Sequence, residues 1–159
     1  MTWVEVTVLT SRRPPNSLRF MNSLKRFADP VYCIMRFMVG FLFFCHGAQK
    51  ILGWFPNLKQ PAGHLDTLGM ISGWIELVGG VLIALGLLTC LAAFISSGEM
   101  AVAFFMVHAK GGLIPRLNGG EPAVLFCFIF LFIVFYGGGL LSFDSLLFKR
   151  ATASPPSTV

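Results

Sequence analysis

The stretch FCFIFLFIVFY, residues 126–136, runs through apolar and aromatic side chains with no charge and no alternation. A strand of a membrane barrel would place a polar residue at every second position over about ten residues. An unbroken run suits a helix instead, because a helix bonds its own backbone groups and needs no water to do so. Crossing a bilayer takes roughly 20 mostly apolar residues. Stretches of that kind lie at about 31–53, 70–88, 89–109 and 122–141. The expected fold class is therefore all-α: an integral membrane four-helix bundle over residues 31–148. A basic cytoplasmic segment, 1–30, precedes it, and a disordered cytoplasmic tail, 149–159, follows.

Composition agrees with that reading. Soluble domains carry about 25% charged residues, whereas this chain of 159 residues has 12%, with 55% hydrophobic residues and a mean hydropathy of +0.76. The first 30 residues hold Pro14 and Pro15 and no apolar stretch ending in small residues, so they do not read as a signal peptide. Within them, Leu18, Met21, Leu24 and Phe27 fall at helical spacing, as an interfacial stretch would. Basic residues set the orientation. Arg12, Arg13, Arg19, Lys25, Arg26, Lys149 and Arg150 flank the bundle on one side, against Lys50, Lys59, Lys110 and Arg116 on the other. That bias puts both termini in the cytoplasm. The net charge of +5 then reflects topology and anionic-lipid contact, and no nucleic-acid motif accompanies it. Cys33, Cys45, Cys90 and Cys127 lack the clustered spacing of a zinc or iron–sulphur site, so no metal is expected.

The informative residues are the polar ones inside the spans, since lipid penalises each of them. At roughly 100° per residue, counted from Arg36, Phe43 falls near −20°, Lys50 near −40° and His46 near −80°. The three basic groups share one wedge. Ser72, Glu76, Gly80 and Ala84 form a stripe at four-residue spacing beside Gly69 and Gly73, which marks a helix-packing face. A similar stripe follows in Ala92, Ser96, Glu99 and Ala103. By helical rise His46 lies about 10 Å and Glu76 about 9 Å below the outer surface. A His46–Glu76 contact is expected, with Lys50 above it and Glu99 below. Arg36, near the other end, reads as a snorkelling side chain or a member of a structural ion pair.

Four segments resemble the DoxX family of small four-helix membrane proteins: FFCHGAQKILGWF (43–55), GWIELVGGVLIALGLLT (73–89), SGEMAVAFFMVH (97–108) and NGGEPAVLFCFIFL (118–131). They occur in order, and the resemblance runs over roughly 31–144, including LLSFD after the last span. It implies a bacterial inner-membrane protein linked to quinone or thiol redox processes. Such a protein would work at most as a subunit of a larger membrane oxidoreductase, beside partner subunits and lipids, without an electron-carrying cofactor of its own and with quinone as the one candidate ligand. The motif positions present are His46, Gln49, Lys50, Glu76, Glu99, His108, Asn118 and Glu121. His46, Glu76, Lys50 and Glu99 are the candidates for chemistry, and His46, Gln49, Glu76 and His108 the candidates for holding a cofactor. Two other readings stand beside this one: a non-catalytic accessory subunit of a respiratory or photosynthetic complex, and a small transporter or channel.

Overall fold

The computed structural model describes residues 23–55 and 66–152, with side chains up to residue 147. Half of the amphipathic stretch expected around 18–27, most of the loop expected at 54–69 and the last residues of the tail lie outside it. Every regular element among the described residues is helical. Helix α1 spans Ala28–Leu52, α2 Thr67–Leu85 and α3 Thr89–Ala103. The third continues through a π-helical turn, Phe104–His108, and a 3₁₀ turn, Ala109–Gly111. A short α4, Pro115–Asn118, leads to α5, Glu121–Tyr136, and then to α6, Phe143–Thr152. Among the described residues, three stretches are long and apolar enough to cross a membrane: Ala28–Leu52, Thr67–Leu85 and Thr89–Gly111.

Helix ends follow local chemistry. Asp66 starts α2 by accepting from Gly69 N at 2.9 Å, which satisfies one of the amides a helix start leaves open. Gly86, at φ 72°, ends it by sending its own amide and that of Leu87 back to Ile83 and Leu82. This is the left-handed glycine stop. Thr89 opens α3 at once, so α2 and α3 make the tight hairpin that the sequence implies. The fourth apolar helix departs from expectation. It has 16 residues and stops at Tyr136 rather than near 141, because Gly137 and Gly139 take φ of 81° and 73° and the chain turns there. Helix α6 then reaches Thr152, inside the segment 149–159 expected to be a disordered tail.

Helices α1 and α2 pack backbone to backbone. A Cβ added at Gly40 would stand 2.5 Å from Ala84 N, one at Gly80 2.7 Å from Phe44 Cα, and one at Gly47 2.7 Å from Leu77 Cα. The small-residue stripe of α2 is thus a contact face, as its spacing implied. Beside that contact face, wholly buried Phe43 meets Phe126 and Phe130 of α5, with ring centroids 5.5 and 4.7 Å apart. Helix α3 leans on α5, where Ser97 Oγ donates to Cys127 O at 2.9 Å. Side chains such as Phe94, Phe105, Phe128 and Phe135 point away from the protein, which in a membrane means toward lipid.

One end of the bundle is tied by Arg36 and Asp144. Arg36 is only 2% exposed and neither snorkels nor forms an ion pair among the described residues. Its guanidinium donates to Ile83 O, to Ala84 O (2.9 Å) and to Leu141 O (2.7 Å). The first two are carbonyls in the last turn of α2, one of them (Ile83 O) shared with the Gly86 amide, and there the helix dipole also favours a cation. Asp144 accepts from Leu88 N, Thr89 N and Thr89 Oγ1 at 2.7–2.8 Å, which caps α3 from 55 residues away. Burial works to raise its pKa. The bonds from Thr89 and Leu88, with the Arg36 charge, outweigh that and hold the carboxyl below the ordinary aspartate value.

Gly80→Ala should lower the melting temperature in detergent sharply. Gly98→Ala should be neutral or stabilising by up to about 1 kcal/mol, because nothing lies within 4 Å of a Cβ there. Asp144 supplies a pH signature. Its stabilising contribution is complete above the range where an unfolded aspartate titrates. It is lost as pH falls through the lowered folded value. Melting curves of Asp144→Asn should therefore show a smaller loss on the acid side than those of the parent, with roughly 1 kcal/mol less stability near neutrality.

Candidate functional site

Lys50 stands in the last turn of α1, one helix turn beyond His46, on the side that faces α2. Its ammonium donates to Glu76 Oε1 at 2.7 Å and to Ser72 Oγ at 2.9 Å. Ser72 Oγ then donates to Glu99 Oε1 at 2.7 Å. One line of hydrogen bonds thus joins Glu76, Lys50, Ser72 and Glu99 across three helices. Helix geometry explains the placement. Ser72 and Glu76 are four residues apart and share a face. The glycines at 47 and 73 let α1 and α2 approach, so a lysine on one reaches a glutamate on the other.

The network grades from open to sealed. The Lys50 side chain is 33% exposed and that of Glu76 4%. Among the described residues, Glu76 Oε2, Glu99 Oε2 and Ser96 Oγ are buried without a hydrogen-bond partner. Ser96 lies against Gly79, one turn further along α2, where a Cβ would come within 2.7 Å of its hydroxyl. Two carboxyl groups face a single ammonium here. In a medium of low dielectric such a set approaches neutrality by taking up one further positive charge. A proton is the smallest such charge, and a carboxyl oxygen with no other partner is a place to hold it. The hydroxyl of Ser72 both accepts and donates, which is what passing a proton along the line requires.

The expected pairing of His46 with Glu76 is not what the fold makes. The His46 ring is exposed on the α5 side, edge-on to Phe126 with centroids 5.8 Å apart, while Lys50 takes the glutamate. His46 sits at the outer edge of the polar wedge on α1, and there the neighbour is α5 rather than α2. Gln49 donates to Phe55 O at 3.2 Å and shapes the turn that leaves α1. His108 lies in the π-helical turn, with Nδ1 3.2 Å from Asn118 O, so that nitrogen carries the hydrogen. Asn118 closes the same loop through Gly112 O and Gly120 N. Glu121 makes an exposed pair with Arg116 at 3.6 Å. Of the candidates, the fold gathers Lys50, Glu76 and Glu99 into one site and leaves His46, Gln49 and His108 apart from it. It adds Ser72 as the bridge, a role that the four-residue spacing to Glu76 signals only once Glu99 is known to be opposite.

The DoxX family model matches residues 31–109, which hold the whole network. An uncharacterized protein of Haemophilus influenzae is 39% identical over 134 residues, covering 82% of this chain and 100% of the relative. The chain belongs to the DoxX family. An uncharacterized membrane protein of Mycobacterium tuberculosis is 29% identical over 77% of this chain and 84% of its own length. A Bacillus subtilis protein named "Putative oxidoreductase CatD" is 25% identical over 73% and 86%. No solved structure matches. Family membership and the apolar helices together make this DoxX protein an integral membrane protein in contact with lipid.

Lys50→Met should leave Glu76 without its cation and cost about 3–5 kcal/mol of stability. Adding Glu76→Leu should recover most of that loss, because the pair is then replaced by apolar contact. Chemical denaturation of the single and double variants in micelles reads both effects.

Proposed function

We propose that this DoxX protein is a proton-handling subunit linked to quinone or thiol redox processes in a bacterial inner membrane. The observation that carries the reading is the partly buried line Glu76–Lys50–Ser72–Glu99, with two buried carboxyl oxygens that no other group among the described residues engages. Lys50 meets water, Ser72 relays, and Glu76 and Glu99 hold the proton. The Bacillus subtilis relative's name gives a further, weaker support for redox chemistry. His46 is the residue suited to donate to a quinone carbonyl, since its ring is open to lipid beside Phe126. A bound quinone would supply the electron-accepting chemistry, and electrons would reach it from a partner subunit. In this reading α5 completes a fourth crossing despite its length. An even number of crossings, with the basic residues flanking α1 and the end of the chain, places both termini in the cytoplasm.

The test is infrared difference spectroscopy across a pH series, run on protein purified gently with its native lipid, with mass spectrometry of the quinones that co-elute. A protonated-carboxyl band that Glu99→Gln or Glu76→Gln removes, together with quinone retention that His46→Ala reduces at least tenfold, supports the proposal. Absence of any such band, with quinone content unchanged in all three variants, overturns it. The accessory-subunit reading then takes its place.

A further inference from the structure

The end of the bundle opposite Lys50 carries a helix with exposed apolar side chains. Ser142 starts α6: its Oγ accepts from Ser145 N at 3.1 Å and donates to Gly139 O at 2.9 Å. Asp144 then fastens the first turn, because its amide donates to Gly86 O at 2.9 Å while its carboxylate caps α3. Beyond that turn Phe143, Leu146 and Leu147 are all exposed, at 50%, 63% and 57%. Their spacing of three and four puts them on one face. Lys149 and Arg150 follow in the sequence. Nearby in the fold, Leu24 and Phe27 are also exposed, and Arg26 lies over the Phe27 ring at 4.7 Å.

We infer that α6 lies in the membrane interface and binds anionic phospholipid. Helix α6 leaves a transmembrane bundle only six residues after the apolar α5 ends, so it begins at the level of the lipid headgroups. An apolar face there is covered by the acyl boundary at no cost in protein contacts, and flanking cations reach the phosphates. The charge balance selects the sign of the lipid. Besides buried Arg36, the sequence puts Lys25, Arg26, Lys149 and Arg150 at this end. The carboxylates beside them are engaged elsewhere: Asp29 accepts from Tyr136 Oη at 2.8 Å, and Asp144 accepts from Leu88 and Thr89. The surface is therefore cationic over an apolar base, the complement of phosphatidylglycerol or cardiolipin rather than of a zwitterionic headgroup. Because Asp144 holds both α6 and the start of α3, lipid binding at α6 steadies the helix that carries Glu99.

The test is hydrogen exchange of residues 143–152 in the full-length protein, reconstituted in nanodiscs of phosphatidylcholine alone or with phosphatidylglycerol. Protection should be greater with the anionic lipid. Lys149→Gln with Arg150→Gln should reduce it toward the phosphatidylcholine level, by about fivefold per cation, and added salt should do the same. Leu146→Asn with Leu147→Asn should abolish protection in both lipids. Equal exchange in the two lipids, indifferent to salt and to the charge variants, overturns the inference. So does protection that depends on protein concentration, since a second copy would then be what covers the helix.

Discussion

The close approach of α1 and α2 is the contact on which the rest of the structure depends. Glycines at 40, 47 and 80 remove the side chains that would hold the two backbones apart. At that separation the polar side chains of α1 meet groups on α2 directly, rather than reaching for water past a layer of leucines. Within lipid this matters more than in a soluble core. Expulsion of water no longer drives helices together, so shape and hydrogen bonding must do so.

Each end of that helix pair is then secured by a cation from α1. At one end Arg36 binds the carbonyls of Ile83 and Ala84 in the last turn of α2. At the other, Lys50 satisfies a carboxylate one turn inside the bundle. The two are unlike in kind. The Arg36 contacts are to backbone and do not change with proton uptake, so they hold the architecture fixed. The Lys50 contacts are to side chains, a carboxylate and a hydroxyl, and among the described residues Oε2 of both Glu76 and Glu99 is left without a partner.

Much of this was legible in the sequence, and the reasons are local. Apolar runs without alternation dictate membrane helices, because a lone helix satisfies its own backbone wherever it sits. The four-residue spacing of Ser72, Glu76, Gly80 and Ala84 dictates a packing face, because one helix has one periodicity. The family motifs carried the same information in another form. Asp66 and Gly86 mark the ends of α2, since caps act within a turn of their own position.

What the sequence left undecided were pairings between helices. A wheel drawn on α1 puts His46 and Lys50 within one wedge, and depth alone makes His46 level with Glu76. Which of them takes the glutamate depends on how α1 is rotated against α2 and α5 at once. That rotation is set by Phe43 filling the space against Phe126 and Phe130 while the glycines seat α2. Arg36 and Asp144 escaped a functional reading for the same reason: their partners lie tens of residues away, and no local pattern announces a carbonyl or an amide as a partner. The sequence alone determined that the chain is helical, lies in the membrane and carries polar groups there. Only the tertiary structure decided which of those groups meet, because periodicity belongs to one helix and a hydrogen bond between helices belongs to their packing.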